Sequence, residues 1–256
     1  RCAEAGITLL EFDGRSDTET QLNQCENAIA SGADALLFIP FDKDGAAPII
    51  DNCNEAGIPV ICCNNITTNV DQATAYVGAN DVEAGIMETE YIVDLIGGKG
   101  NIAVVEGPFG HSAQVARQEG LEQVLAGYPD CKIVLDDTAN WNRDEAMELV
   151  ENWIAGGTQI DAIICHNDIM AMGALQACQD AGLEIPIIGI DATYDALCAV
   201  KDGTLAADVY QDVYGQAEEA FNVCMRILNG ETFEQTTYVP FKLITKDNVD
   251  EYLANF

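Results

Sequence analysis

The run AIICHNDIMAMGALQACQDAGLEIPIIGID, residues 162–191, decides the fold. It opens on 162–165, apolar at every position, passes through His166, Asn167 and Asp168, and continues over 169–181 with helical periodicity. Gly182 then stops the helix, as glycine does where the chain must turn left-handed. A second run, 187–190, follows without a polar residue and ends on Asp191. A strand that is apolar throughout, rather than at alternate residues, belongs to a sheet covered on both faces. Strand, helix and strand within about 30 residues make a βαβ unit, whose strands lie parallel.

The same alternation extends in both directions. Strands are expected at 7–12, 35–39, 60–63, 74–77, 102–105, 133–136 and 206–210. Helices are expected over 18–31, 46–56, 82–96, 114–126, 144–155, 194–202 and 213–228. Asp81 and Asp168 read as caps at helix starts. So many strands exceed one doubly wound lobe and suit two, with the break at 78–81.

The chain has 256 residues, 48% of them hydrophobic, enough for two cores. No apolar run approaches the roughly 20 residues of a membrane-spanning helix. Acids outnumber bases 43 to 11, for a net charge of −32. Such a surface repels phosphate backbones and anionic membranes, so neither nucleic acid nor a membrane surface is an expected partner. The ten cysteines form no CxxC pair and no zinc-finger spacing, and they read as small buried hydrophobes. No metal and no cofactor is expected. The opening RCAEAG reads as the last turn of a helix stopped by Gly6. An upstream segment carrying any export signal is therefore expected.

In open parallel sheets, ligands bind beyond the carboxyl ends of the strands. Those ends carry Asn64 and Asn65; Glu106, Gly107 and His111; Thr138, Asn140 and Trp141; His166, Asn167 and Asp168; Asp191; and Gln211 and Asp212. Taken singly, each Asn or Asp is more often a cap or turn residue, and Asp168 is best read that way. Together they suit a sugar, whose hydroxyls donate and accept at once. Trp141 offers a plate for C–H faces, while Asp191 and Arg117 offer charge-assisted hydrogen bonds. Trp153, mid-helix among apolar neighbours, reads as packing. There is no GxGxxG opening a helix, no Walker A sequence, no GxSxG and no HExxH. His111 and His166 lack an activated nucleophile or metal set beside them, so a binder rather than an enzyme is expected.

Seven segments in order carry a resemblance: PVICCN (59–64), YVG (76–78), GHSAQVAR (110–117), Asn140-Trp141, NDIMAMG (167–173), GIDA (189–192) and LAADVYQ (205–211). With them the whole chain resembles the type I periplasmic sugar-binding proteins, most of all their galactose/glucose-binding branch. The resemblance implies two doubly wound lobes, 1–79 with 212–237 and 80–211 with 238–256, joined by a three-stranded hinge that closes on ligand. It implies ligand-binding roles for Asn64, His111, Arg117, Trp141, Asn167, Asp191 and Gln211. Ala113 stands where that branch has an aspartate on the sugar, and its calcium loop is not recognisable. The family's first strand and helix, with a second aromatic plate, are expected to lie upstream of this numbering.

The implied function is that of a solute-binding protein of a sugar ABC transporter. It would take a galactose- or glucose-like hexose, a pentose or a related polyol. It would act as a monomer, read by a permease or a chemoreceptor. Its place would be the periplasm or, as a lipoprotein, the surface of a Gram-positive cell. The rival readings are the effector domain of a sugar-responsive transcription regulator and the sensor domain of a membrane kinase. Each requires a segment outside this numbering, and the acidity weighs against the first.

Overall fold

The computed structural model describes residues 2–254 and 256. The chain divides into two compact units. One comprises residues up to Gly78 with Tyr214–Tyr238, and the other Ala79–Val213 with the residues from Val239 on.

The first unit is built on a parallel sheet of β1 (Leu36–Phe38), β2 (Val60–Asn64), β3 (Ala75–Gly78) and β9 (Thr236–Tyr238), in that spatial order. Helices α1 (Thr18–Ala30) and α2 (Ala47–Ala56) cover one face, packing Cys25, Ile49, Ile50 and Cys53 against Val60, Cys62 and Tyr76. Helix α8 (Val213–Leu228) covers the other, packing Ala220 and Val223 against Ile61, Ala75 and Val77. Successive residues of β2 thus enter opposite cores, which is why the strand has no polar face.

The second unit has a six-stranded sheet. It holds β4 (Gly100–Glu106), β5 (Cys131–Thr138), β6 (Ala162–Cys165), β7 (Ile187–Ile190), β8 (Ala207–Tyr210) and β10 (Lys242–Ile244), in the order β10-β8-β7-β6-β4-β5. Only β10 is antiparallel to its neighbour. Helices α3 (Asp81–Leu95) and α4 (Ser112–Leu125) pack on Ile102, Val104, Ile164 and Ile188. Helices α5 (Arg143–Ala155), α6 (Asp168–Asp180), α7 (Tyr194–Asp202) and α9 (Val249–Leu253) pack on Ala103, Val105, Ile163 and Ile187, with Trp153 half-buried against this core. The strand order reverses at β4, with β5 on one side and β6 on the other. Loops leaving the carboxyl ends of β4 and β6 therefore part there, at the position where such sheets leave a crevice.

Three expectations are corrected. Residues 7–12 form no strand, and Leu9, Leu10 and Phe12 are exposed. They pair with neither edge of the sheet, β1 or β9, and a strand exists only through its ladder. Strands β9 and β10 went unforeseen, since three residues are too few to show a period. The caps also lie one residue earlier. Asn80 Oδ1 accepts from Val82 N at 3.3 Å and Asn167 Oδ1 from Met170 N at 3.0 Å, which leaves the carboxylates of Asp81 and Asp168 for other partners. All ten cysteines are free thiols, most of them buried, as the composition suggested. Among the described residues no helix is long and apolar enough to cross a membrane.

Candidate ligand-binding site

Trp141 is the centre of the site in the second unit. It and Asn140 both adopt left-handed backbone, with φ of 58° and 53°. Such geometry is uncommon outside glycine and needs support. Thr138 supplies it. Its Oγ1 accepts from Asn140 N at 3.1 Å and donates to the Gly107 carbonyl at 2.8 Å, tying the loop after β5 to the loop after β4. Asn142 then caps α5, accepting from Asp144 N and Glu145 N. The indole lies flat against Gly107, where a Cβ would sit 2.1 Å from the ring. Glycine at 107 is therefore a steric requirement of the plate.

His111 meets the indole edge-on, with ring centroids 5.4 Å apart at 82°. Its Nδ1 accepts from Ala113 N at 3.2 Å and caps α4, placing the neutral ring's proton on Nε2. The Arg117 guanidinium carbon lies 5.8 Å from the centroid of the same indole. Arg117 is buried, with Nε and Nη2 donating to Asp81 Oδ1 at 2.9 and 2.8 Å and Nη1 donating to the His166 carbonyl. Burial alone would lower the Arg117 pKa, but the nearby carboxylates of Asp81, Asp191 and Glu88 raise it above its ordinary value. The cation is thus largely neutralised from within, which suits an uncharged ligand better than a phosphate.

His166 is fully buried, and its ring nitrogens have no hydrogen-bond partner among the described residues. Burial, and then the Arg117 charge, push its pKa down to about 3, so it does no proton transfer near neutrality. Asp191 leaves β7 at φ 130°, its N–H donating to the Val209 carbonyl at 3.0 Å. Burial lifts its pKa to about 7, opposed by Arg117 and reinforced by Asp168 and Asp81. Asn167 is buried and spends its Oδ1 on capping α6. Gln211, also buried, follows β8, one strand over from Asp191 and beyond the Ile190–Val209 register pair.

His111 and Arg117 therefore both meet the Trp141 ring, Asp191 lies in the field of the same cation, Asn167 follows the His166 carbonyl that Arg117 holds, and Gln211 lies on the adjacent strand end. Asn64 belongs to the first unit. There it ends β2 at φ 59°, its Nδ2 donates to Gln216 Oε1 at 2.9 Å, and its carbonyl accepts from the Tyr76 hydroxyl at 2.6 Å. Three supporting residues escaped the sequence reading. Asp81 was taken for a cap, whereas Gln216 and Gln114 look like ordinary helix residues. Gln114 joins Glu106 to Gly110 N, bracing the loop that carries Gly107.

A half-buried indole, an imidazole edge and a ring of planar hydrogen-bonding groups suit the C–H faces and hydroxyls of a small polyhydroxy molecule. The profile of the periplasmic binding protein domain family matches residues 1–232. The chain belongs to the periplasmic binding protein family. It is 38% identical to the xylitol-binding protein of Mycolicibacterium smegmatis over 246 residues, covering 95% of this chain and 70% of that one. It is 36% identical to a putative rhizopine-binding protein of Rhizobium meliloti, covering 96% and 82%. An ABC transporter solute-binding protein from Bacillus halodurans, crystallised with myo-inositol, superposes with a TM-score of 0.95 at 38% identity, over 99% of this chain and 90% of that one. These relatives are binding proteins, not enzymes, and so is this periplasmic binding protein. The family acts outside the cytoplasm.

Proposed function

We propose that this protein captures a neutral monosaccharide or polyol outside the cytoplasm and presents it to an ABC-transporter permease or a chemoreceptor. The observation that carries this reading is the Trp141 plate, seated on Gly107, with His111 at its edge and Arg117 beside it. Trp141 covers one apolar face of the ligand. His111, Arg117, Asn167, Asp191 and Gln211 take hydroxyls. Relatives named for xylitol and solved with myo-inositol favour a polyol or pentose-sized ligand. A hexose of the galactose type is less well served, because Ala113 brings no carboxylate.

The test is calorimetric titration with xylitol, myo-inositol, ribose, galactose and glucose. One of them is expected to bind with a dissociation constant on the order of micromolar. Trp141→Ala is expected to weaken that binding about tenfold or more while the protein stays folded, as circular dichroism would show. Silence across the panel, or full affinity in Trp141→Ala, overturns the assignment.

A further inference from the structure

Beyond β7 the chain turns through Asp191 and Ala192, at φ 130° and 60°. Non-glycine residues adopt such backbone only where their surroundings enforce it. Here two carboxylates from different elements enforce it. Asp208, on β8, accepts from Ala192 N at 3.2 Å through Oδ1. Asp168, in the first turn of α6, accepts from Thr193 N at 2.6 Å through Oδ2. Both side chains are fully buried. Their other oxygens, Asp168 Oδ1 and Asp208 Oδ2, receive nothing from any N–H or hydroxyl among the described residues. The two carboxyl groups are close electrostatic neighbours that hold the N–H groups of successive residues, Ala192 and Thr193. Gly189 makes the room. It is the register partner of Asp208 on β7, and a Cβ there would sit 2.5 Å from Asp168 Oδ1. Two carboxylates so placed repel in a low-dielectric interior, whereas a carboxylic acid and a carboxylate attract.

We propose that Asp168 and Asp208 share one proton, and that this acid–carboxylate pair is the positioning device that holds the 191–193 turn and so aims Asp191 at the ligand. The role of Asp191 rests on the binding function proposed above. The sharing of the proton does not.

Other charged groups set the field. Asp191 lies on the same turn, Arg117 on α4, and Asp81 and Glu88 on α3. His166 is neutral. Arg143 and Asp195 line a hollow beside Asp168 on the solvent side. Burial first, and the neighbouring carboxylate next, raise the Asp168 pKa. Burial chiefly lifts that of Asp208, to about 7. The pair titrates as a unit. As pH rises, the shared proton leaves and the two charged groups repel; each N–H bond to a carboxylate is by itself stronger, but the repulsion drives the two side chains apart and disturbs the Ala192–Thr193 turn that they hold together. Affinity therefore falls on the alkaline side.

The test uses Asp208→Asn, whose carboxamide donates permanently to Asp168 and still accepts from Ala192 N, so the bonds remain and the titration goes. With myo-inositol as probe, the wild type is expected to lose affinity about tenfold between about pH 6.5 and about pH 9, and Asp208→Asn to lose much less. Asp208→Ala is expected to bind poorly across the range, with Asp208→Asn recovering most of the loss. A flat wild-type profile, or one as steep in Asp208→Asn, overturns the proposal. Should myo-inositol and the rest of the panel not bind, the functional reading fails by itself. The pair is then judged on ligand-free thermal unfolding, where the wild-type midpoint should fall relative to Asp208→Asn over the same range, and parallel midpoints overturn it. Asp168→Asn, which donates in the opposite direction, serves the same comparison if Asp208→Asn does not fold.

Discussion

Gly107 does more for the proposed site than its missing side chain suggests. A methyl group there would enter the Trp141 ring at 2.1 Å, so the indole would have to move. Gly107→Ala is expected to cost about 1–3 kcal/mol of stability, as overpacking does, and to weaken ligand binding at least as much as Trp141→Ala. Tryptophan fluorescence and calorimetry would show both effects. A variant that bound normally would mean that the plate is not where the ligand sits. In the sequence, Gly107 is one glycine after a strand, with nothing to mark its contact with a residue 34 positions on (141 − 107). Trp141 by itself could equally be a core residue, and its reading as a plate rests on the polar groups at the neighbouring strand ends and on the family resemblance. Asp81 was misread, because a carboxylate at a helix start resembles a cap until Asn80 is seen to cap instead.

Among the elements, α3 carries a conspicuous cost. Glu88 is wholly buried in it, and neither carboxylate oxygen has a hydrogen-bond partner among the described residues. Burial raises its pKa well above the ordinary value, with Arg117 opposing. A carboxyl raised on folding contributes no penalty below its unfolded pKa and destabilises increasingly as pH rises toward its folded pKa. Glu88→Leu should therefore be more stable than wild type by about 1–3 kcal/mol near neutrality, with the gain shrinking toward pH ~4. Urea unfolding across that range checks the sign, and a gain that grew in acid would refute it. Elements also differ in what their apolar residues do. Leu10 is exposed and Ile61 fully buried between two cores. Leu10→Ser is expected to cost less than about 0.5 kcal/mol and Ile61→Ala about 2–5 kcal/mol, by denaturant midpoint. Equal costs would mean that residues 7–12 are buried after all.

For the whole molecule, the class of fold is written in local periods. Runs apolar at every residue, spaced by amphipathic helices, admit only a parallel sheet covered on both faces, and this follows from local periods that any reader of the chain can count. The sequence also sets which residue types stand at strand ends, and hence the family resemblance through Asn64, His111, Arg117, Trp141, Asn167, Asp191 and Gln211. Only the tertiary structure decided the order β10-β8-β7-β6-β4-β5, the reversal at β4, and the failure of 7–12 to join a sheet. It alone put Asp168 beside Asp208, Gly107 beneath Trp141 and Asp81 on Arg117. The physical reason is the same in each case. Periodicity is a property of neighbours along the chain, whereas strand pairing, close approach and shared protons are settled between residues that only the packed core brings together.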